Sequence, residues 1–224
     1  MSPRIVAIVP MRHESERVPG KNYRRLGNRP LFHHIVETLL ASPRIAEIVI
    51  DTDSELIRDD TKRAFPSVTV LDRPPELRGG MVSMNDVLLN DVRRVDADLY
   101  LQTHSTNPLL RESSVTRAID EYLEADPRPD SLFGVTRLQS RLWDANGAPV
   151  NHDPRRLVRT QDLPPIFEEN SCLYLFSRES LEKHGSRIGS RPMMFELPRD
   201  EAWDIDDETD FRTAEALYEL RVQT

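Results

Sequence analysis

Residues 5–22 read IVAIVPMRHESERVPGKN, a short apolar run followed directly by a long polar loop. The run 5–9 contains no polar residue and ends at a proline, which is typical of a central strand buried on both faces of a parallel sheet. The loop places Arg12, Arg17 and Lys21 beyond the strand end, where doubly wound sheets bind ligands. These cations predict a polyphosphate site without a P-loop or dinucleotide fingerprint, and a solvated surface loop is the alternative.

The first half of the chain alternates short β-like runs with longer amphipathic patterns. Strands are predicted at residues 5–9, 47–51, 68–71, 99–103 and 132–136, with helices at 31–40, 54–65, 84–95 and 115–123. Such alternation predicts an α/β fold with a mainly parallel sheet and helices on both faces.

The later part of the chain departs from this alternation. Residues 138–170 contain four prolines and no long amphipathic run, so we expect an excursion from the core such as a hairpin arm. The elements predicted after it are a strand at 173–176, a short helix capped by Ser177, an edge strand at 193–197 and a closing helix at 207–220. We therefore expect a single domain over residues 1–224.

Composition limits the classes of function. The 224 residues carry 30 basic and 38 acidic side chains, a net charge of −8 that argues against a general nucleic-acid binder. The single cysteine, Cys172, excludes a disulfide scaffold and a cysteine-rich zinc site. Arg4 and Arg12 flank the early apolar run, which is far shorter than a span of about 20 residues. We expect a cytoplasmic protein with no membrane or nucleic-acid partner.

A pair of carboxylates precedes the closing helix. In an extended Asp204-Ile205-Asp206 segment, both carboxylates share one face and Ile205 faces the core. Two carboxylates with open coordination positions are a usual way to hold Mg²⁺. Acidic residues in this position also complement a helix N-terminus, and the two interpretations are compatible.

Two further strand ends carry polar groups. Residues 51–54, DTDS, resemble the haloacid-dehalogenase phosphatases, in which one Asp is the nucleophile and the second the acid; an N-cap at Asp53 or Ser54 is the alternative. Residues 102–111, QTHSTNPLLR, are dense in polar groups, as a sugar-binding loop requires, although a plain helix-entry loop would look similar.

Taken together, these segments closely resemble the acylneuraminate cytidylyltransferases, also called CMP-sialic acid synthetases. The matches keep the family's order and span nearly the whole chain. They are residues 12–22 with the loop ARxGSKRxPxKN, 29–31 with GxPL, 51–54 with STD, 73–77 with RPxxL, 107–111 with TSPLR, 159–164 with RxQxLP, and 204–206 with DID.

The resemblance implies a Rossmann-like nucleotidyltransferase that transfers CMP from CTP to a hydroxyl of a nonulosonic or related sugar acid, with Mg²⁺ as cofactor and pyrophosphate as leaving group. It implies a homodimer held by the arm at 138–170. The implied catalytic residues are Arg12, Lys21 and Asp206. The implied metal ligands are Asp204 and Asp206. The implied substrate-binding residues are Ser15, Arg17, Asn22, Arg73, Ser83, Gln102, His104 and Asn170, with Asn22, Arg73 and Ser83 at the cytidine and Gln102 at the acceptor.

Several residues depart from the family pattern. Glu16 stands where the family loop has a cation, which implies either the loss of one catalytic contact or compensation by Arg17. Glu168 and Glu169 stand near the position where sialic-acid enzymes carry an arginine for the acceptor's carboxylate, which two glutamates would repel. The acceptor therefore stays open among another nonulosonic acid, an octulosonic acid and a different compound. A relative with another nucleotide or no catalysis is the alternative, and a phosphatase built on Asp51 is a distant one.

Overall fold

The computed structural model describes residues 2–15 and 17–222, which surround a seven-stranded mixed sheet. The strands are β1 (Ile5–Met11), β2 (Arg25–Leu26), β3 (Arg29–Pro30), β4 (Glu47–Thr52), β5 (Thr69–Asp72), β6 (Leu99–Thr103), β7 (Ser131–Leu138), β8 (Ile166–Phe176) and β9 (Pro192–Glu196). The helices are α1 (Leu31–Ala41), α2 (Glu55–Ala64), α3 (Met84–Arg94), α4 (Glu112–Glu124), α5 (Arg178–His184) and α6 (Glu208–Val222).

The large sheet has the strand order β5-β4-β1-β6-β8-β7-β9, and β2 pairs separately with β3. Strands β5, β4, β1 and β6 are parallel. Strand β8 is antiparallel to both β6 and β7, and the edge strand β9 is parallel to β7. The predicted α/β class with a mainly parallel sheet is therefore confirmed.

Strand β1 shows why this sequence forms a three-layer structure. All seven of its residues are buried. Alternate side chains of a strand point to opposite faces, so Ile5, Ala7 and Val9 join the core beneath α1 and α4, while Val6 and Ile8 join the core beneath α3 and α5. An uninterrupted apolar run is required because both faces are covered by helices.

The predicted strand at 173–176 is too short. Strand β8 begins at Ile166, and its first half pairs with the end of β7 across an irregularity between Phe133 and Val135. The residues Glu168 and Glu169 are exposed on this part of the strand, so the sequence there lacks the apolar run that marks a buried strand. The irregular part of the excursion is therefore residues 139–165, and 166–170 belong to the sheet.

The caps predicted for two helices are present. The Ser177 hydroxyl accepts a hydrogen bond from the Ser180 amide at 3.1 Å at the start of α5, and the Ser54 hydroxyl accepts one from Ile57 at 3.3 Å at the start of α2. Among the described helices, none is long and apolar enough to cross a membrane.

The fold brings distant segments of the chain to one edge of the sheet. The loop after β1, the end of β4 and the loop after β6 all lie at the carboxyl ends of parallel strands. The segment before α6 joins them, because the Ile205 amide donates to the Thr106 carbonyl at 2.9 Å. This edge is where ligands bind in doubly wound sheets.

Candidate active site

A cleft of about 510 Å³ opens at the carboxyl edge of the parallel strands. Nine of the residues implied by the sequence line it. They are Arg12, Ser15, Arg17, Lys21, Asn22, Arg73, His104, Asp204 and Asp206. Three others, Ser83, Gln102 and Asn170, lie beside or behind its walls. The functional roles proposed for these twelve residues remain predictions.

The loop after β1 is held in a defined conformation by polar contacts at both ends. The His13 amide donates to Asp53 Oδ1 at 2.7 Å, which ties the loop to the end of β4. Asn22 Nδ2 donates to the Arg12 carbonyl at 2.8 Å, and Ser105 Oγ donates to Asn22 Oδ1 at 2.6 Å. The DTDS segment and Asn22 therefore position the loop that carries the cations.

Three cations of this loop face the cleft, and two of them contact the segment before α6. Lys21 Nζ donates to the Ile205 carbonyl at 2.5 Å, and Arg17 pairs with Asp206 at 2.7 Å. Burial lowers the pKa of the Lys21 ammonium, and the nearby carboxylates of Asp204 and Asp206 oppose that shift. The Arg12 side chain is exposed at the mouth of the cleft. Glu16, the departure from the family loop, lies outside the described residues.

The two carboxylates predicted to hold a metal differ in their surroundings. Asp206 is exposed, whereas Asp204 is half-buried and its Oδ1 is buried with no hydrogen-bond partner among the described residues. Burial raises the pKa of Asp204, while a hydrogen bond from Thr106 and the charge of Lys21 oppose the shift. A buried carboxylate oxygen left without a partner is an acceptor available to a ligand in the cleft.

The predicted acidic cap of α6 is also present, but it is formed by the carboxylates of Asp207 and Asp210 and not by those of Asp204 and Asp206. Asp207 Oδ1 accepts from the amides of Thr209 at 2.7 Å and Asp210 at 3.0 Å, and Asp210 Oδ2 accepts from the Asp207 amide at 2.9 Å. These reciprocal bonds satisfy the first turn of α6. Asp204 and the side chain of Asp206 are thus not needed as caps.

The carboxylates of Asp204 and Asp206 are a donor set that fits Mg²⁺. Within residues 2–15 and 17–222, no group of three or more His, Cys, Asp or Glu side chains is arranged to hold a metal ion. Mg²⁺ is commonly held by one or two carboxylates, with substrate phosphates and water completing its shell. The pair Asp204 and Asp206, beside three cations, matches that type of site and not a metal site built from protein ligands alone.

A second cluster of charges is buried beneath another wall of the cleft. The Arg73 side chain is 2% exposed, and its Nε donates to the carboxylate of Asp51, which is fully buried. Burial, together with the negative charge of Asp51, raises the pKa of Asp91 on α3 to about 8. We therefore assign a proton to Asp91 at neutral pH. A nucleophilic Asp51 is incompatible with this burial, which argues against the phosphatase interpretation.

Ser83 and Asn170 are engaged in local structure. Ser83 caps α3, donating to Asp86 Oδ2 at 2.9 Å and accepting from the Asp86 amide at 3.2 Å. Asn170 is buried in the sheet, where Nδ2 donates to Thr136 Oγ1 at 3.1 Å and Oδ1 accepts from the Cys172 amide at 3.2 Å. Ser83 still adjoins the cleft through its neighbours, and Asn170 is next to the cleft residue Ser171.

Gln102 is fully buried and joins two residues of the cleft wall. Its Oε1 accepts from Arg187 Nη1 at 2.6 Å, so its Nε2 faces His104 Nε2 at 2.9 Å and donates to it. The proton of the neutral imidazole is then on Nδ1. Desolvation, with the charges of Arg187 and Lys21, lowers the pKa of His104 to about 3, so it is neutral near pH 7.

Arg187 is a cleft residue that sequence reasoning missed. It lies in the loop between α5 and β9, within GSRIGSR at residues 185–191. No spacing or strand end distinguishes it from the neighbouring Arg191, and it lies 85 positions from the Gln102 that holds it. Only the tertiary structure brings it to the site.

The chain is similar in sequence to cytidylyltransferases of known name. The N-acylneuraminate cytidylyltransferase of Streptococcus agalactiae serotype V is 25% identical over 221 residues, which cover 92% of this chain and 51% of that protein. The chain thus spans about half the length of that relative. The CMP-N,N'-diacetyllegionaminic acid synthase of Legionella pneumophila is 27% identical over 232 residues, covering 97% of each protein.

Solved structures agree on the fold. A CMP:2-keto-3-deoxy-manno-octonic acid synthetase in complex with CTP matches with a TM-score of 0.73 at 18% identity, covering 97% of this chain and 99% of that chain. This likeness shows the nucleotidyltransferase fold alone. The sequence itself matches the family described as cytidylyltransferase over residues 6–224. The chain therefore belongs to the cytidylyltransferase family.

Proposed function

We propose that this chain transfers CMP from CTP to a hydroxyl group of a sugar acid in a reaction that requires Mg²⁺. The observation that carries the proposal is that Lys21 and Arg17 contact the Asp204-Ile205-Asp206 segment across one cleft, Lys21 at the Ile205 carbonyl and Arg17 at the Asp206 carboxylate. Cations from one loop and carboxylates from another are the groups that a nucleoside triphosphate with its metal requires. The names of the relatives, which include acylneuraminate and legionaminic acid enzymes, supply the acceptor class.

In the proposed reaction, the acceptor hydroxyl oxygen forms a bond to the α-phosphorus of CTP. The bond from that phosphorus to the bridging oxygen breaks, pyrophosphate leaves, and the hydroxyl proton passes to solvent. A displacement of this kind depends on positioning and charge neutralisation more than on covalent chemistry. Arg12 and Lys21 supply positive charge, Ser15 supplies a hydroxyl, and Arg17 pairs with Asp206 until the phosphates arrive.

Asp204 and Asp206 are the residues that would hold Mg²⁺. When bound there, the ion polarises the α-phosphate and lowers the pKa of the attacking hydroxyl. The partnerless Oδ1 of Asp204 is the strongest support for this assignment. Lys21, which donates to the carbonyl between the two carboxylates, fixes their segment against the loop.

The nucleoside belongs on the wall that carries Arg73. Arg73 is preset there by Asp51, and Ser83 begins the helix whose first turn lines the same wall. Asn22 joins the Arg12 backbone to Ser105. In this proposal the cytosine binds beside Asn22.

Matched variants of neighbouring carboxylates test the function. We expect Asp206→Asn to lower kcat for Mg²⁺-dependent pyrophosphate release from CTP by about 100-fold or more, because it removes a metal ligand. Asp207→Asn is the control, since asparagine is an equally good N-cap for α6. CTP would be tested with acylneuraminic, legionaminic and octulosonic acids, and ATP, GTP and UTP would serve as nucleotide controls. Near-full activity of Asp206→Asn would show that the metal assignment is wrong.

The homodimer is part of the same proposal. The irregular excursion 139–165 carries apolar side chains that are exposed in the single chain, with Leu157 87% and Trp143 54% exposed. Several large apolar side chains exposed on one segment are typical of an interaction surface. We expect light scattering to give twice the chain mass, and Leu157→Asp to shift it toward the monomer. A monomeric wild-type protein would contradict this.

A further inference from the structure

Arg187 occupies a fixed position in the wall of the cleft. The guanidinium carbon lies 3.6 Å from the centroid of the Tyr174 ring, and Nη1 donates to the Gln102 amide oxygen at 2.6 Å. The side chain is 16% exposed, and its backbone amide donates to Asn85 Oδ1 at 3.1 Å. Stacking and hydrogen bonds from β6, β8 and α3 thus restrain an arginine that comes from a loop.

The positive charge of Arg187 is poorly balanced by its neighbours. Gln102 is a neutral amide and His104 is a neutral imidazole. The acidic group at hand is Glu169, whose carboxylate is 3.9 Å from Nη2, beyond hydrogen-bond distance, and accepts instead from the Tyr174 hydroxyl. A half-buried arginine normally pairs with a carboxylate through two parallel hydrogen bonds. Arg187 lacks that bidentate partner among the described residues.

The position of Arg187 also bears on Glu168 and Glu169, the two glutamates that depart from the family pattern. Adjacent residues of a strand point to opposite faces, so one of them faces the Arg187 side of β8 and the other does not. Neither glutamate lines the cleft itself, but Glu169 is the one that contacts Tyr174 and lies beside the cleft residue Arg187. One carboxylate is therefore near the site, and its charge is opposed by the arginine next to it.

We propose that Arg187 binds the carboxylate of the acceptor, which makes this wall of the cleft the subsite that selects sugar acids over neutral sugars. The inference rests on the proposed function and deepens it. A planar guanidinium with free N–H groups matches a carboxylate bidentately. Of the other cations that line the cleft, Arg12, Arg17 and Lys21 belong to the loop after β1 and are committed to the phosphates in the proposed reaction. Arg73 is already paired with the buried carboxylate of Asp51.

The test compares Arg187→Gln with Arg178→Gln, which removes an exposed arginine of α5 that pairs with Glu182 at 3.0 Å. Pyrophosphate release is measured with CTP and the acid that the wild type uses best, and again with the C1 carboxamide of that acid. We expect Arg187→Gln to raise the KM for the acid by about 10- to 100-fold, the effect of losing a charged hydrogen bond. The KM for CTP should stay within about twofold. The carboxamide should be nearly insensitive to the substitution.

Equal effects of Arg187→Gln on acid and carboxamide would overturn the proposal, since a merely structural arginine would affect both. An effect as large for Arg178→Gln would overturn it as well. Calorimetric binding of N-acetylneuraminic, legionaminic and octulosonic acids, with CTP present and metal absent, separates this inference from the proposed function. If the acid binds in a way that depends on Arg187 but no turnover occurs, the subsite is supported and the proposed function is contradicted. No acid binding by the wild type, or equal binding by Arg187→Gln, overturns the subsite.

Discussion

The buried Arg73 and the half-buried Arg187 line the same cleft, and their neighbours give them opposite properties. Arg73 is held by the carboxylate of Asp51, so its charge is cancelled before any ligand arrives. Arg187 is held by the neutral amide of Gln102 and the ring of Tyr174, and the Glu169 carboxylate, 3.9 Å from Nη2, offsets its charge only in part. The first arrangement suits hydrogen bonding to a neutral nucleobase, and the second suits attraction of an anion. The identity of the supporting residue, more than the arginine, decides what each wall can bind.

The largest expected effect is the loss of stability when Asp51, the carboxylate that pairs with Arg73, is removed. Asp51→Ala leaves a buried guanidinium without its counter-charge, and we expect a loss of about 3–5 kcal/mol in the free energy of unfolding. The control is Asp72→Asn, which breaks exposed pairs with Arg58 and Arg78 and should cost at most about 1 kcal/mol. Urea unfolding measures both. Equal losses in the two variants would mean that the Asp51 pair contributes no more than a surface pair.

The proton assigned to Asp91 gives the next effect, which depends on pH. Asp91 faces Asp51 and is near Arg73, with Asn90 donating to its other oxygen at 3.2 Å. Its pKa is raised in the folded state from 3.8 to about 8, so the folded protein binds one proton more than the unfolded chain between those values. The stability from this proton is fully present below the unfolded pKa and is lost as pH rises toward 8, with a slope of up to about 1.4 kcal/mol per pH unit.

Asp91→Asn removes this titration and keeps a donor toward Asp51. We therefore expect the variant to gain stability relative to the wild type as the pH rises from 5 to 8, measured by urea unfolding across that range. Asp59→Asn, at an exposed position of α2, is the control and should follow the wild type. A pH-independent difference between Asp91→Asn and the wild type would show that Asp91 is already ionised at pH 5.

The smallest expected effect concerns the acidic neighbour of Arg187. Glu169→Gln removes a negative charge that lies 3.9 Å from the guanidinium and would face an incoming carboxylate. We expect the KM for the acid to fall by about two- to fivefold, the scale of one partly solvated charge pair. The effect should weaken at high salt because the Glu169 carboxylate is 45% exposed. A rise in KM would instead indicate that Glu169 itself binds the acceptor.

The sequence was informative where a local pattern determines the structure. The apolar run of β1, the cations after it and the Asp204-Ile205-Asp206 segment each follow from short-range rules, and each lies where it was expected. Strand β8 was predicted too short because Glu168, Glu169 and Asn170 interrupt its apolar pattern. The side chains of Asn170 and Glu169 contact partners from β7 and the α5–β9 loop, respectively, that no local pattern specifies.

The surroundings of Arg73 and Arg187 show which parts of the site a local sequence pattern can and cannot predict. Asp91 falls three residues after Leu88 and four after Val87, which places a carboxylate on the buried face of α3. That placement was a usable signal of a buried charge cluster. Arg187 gave no such signal, because its partners Gln102, Tyr174 and Asn85 come from separate elements. A site built from distant loops is specified only by the packed sheet.

The central claim is transfer of CMP to a sugar acid, and its most direct measurement follows the label of α-³²P-CTP. The protein would be incubated with this nucleotide, Mg²⁺ and each acid in turn, and the products separated by chromatography and weighed by mass spectrometry. The account predicts that the label moves into a CMP ester of one acid, in equal amount to the pyrophosphate released. Label that stays in CTP with every acid, or that appears as free CMP without an ester, would contradict it.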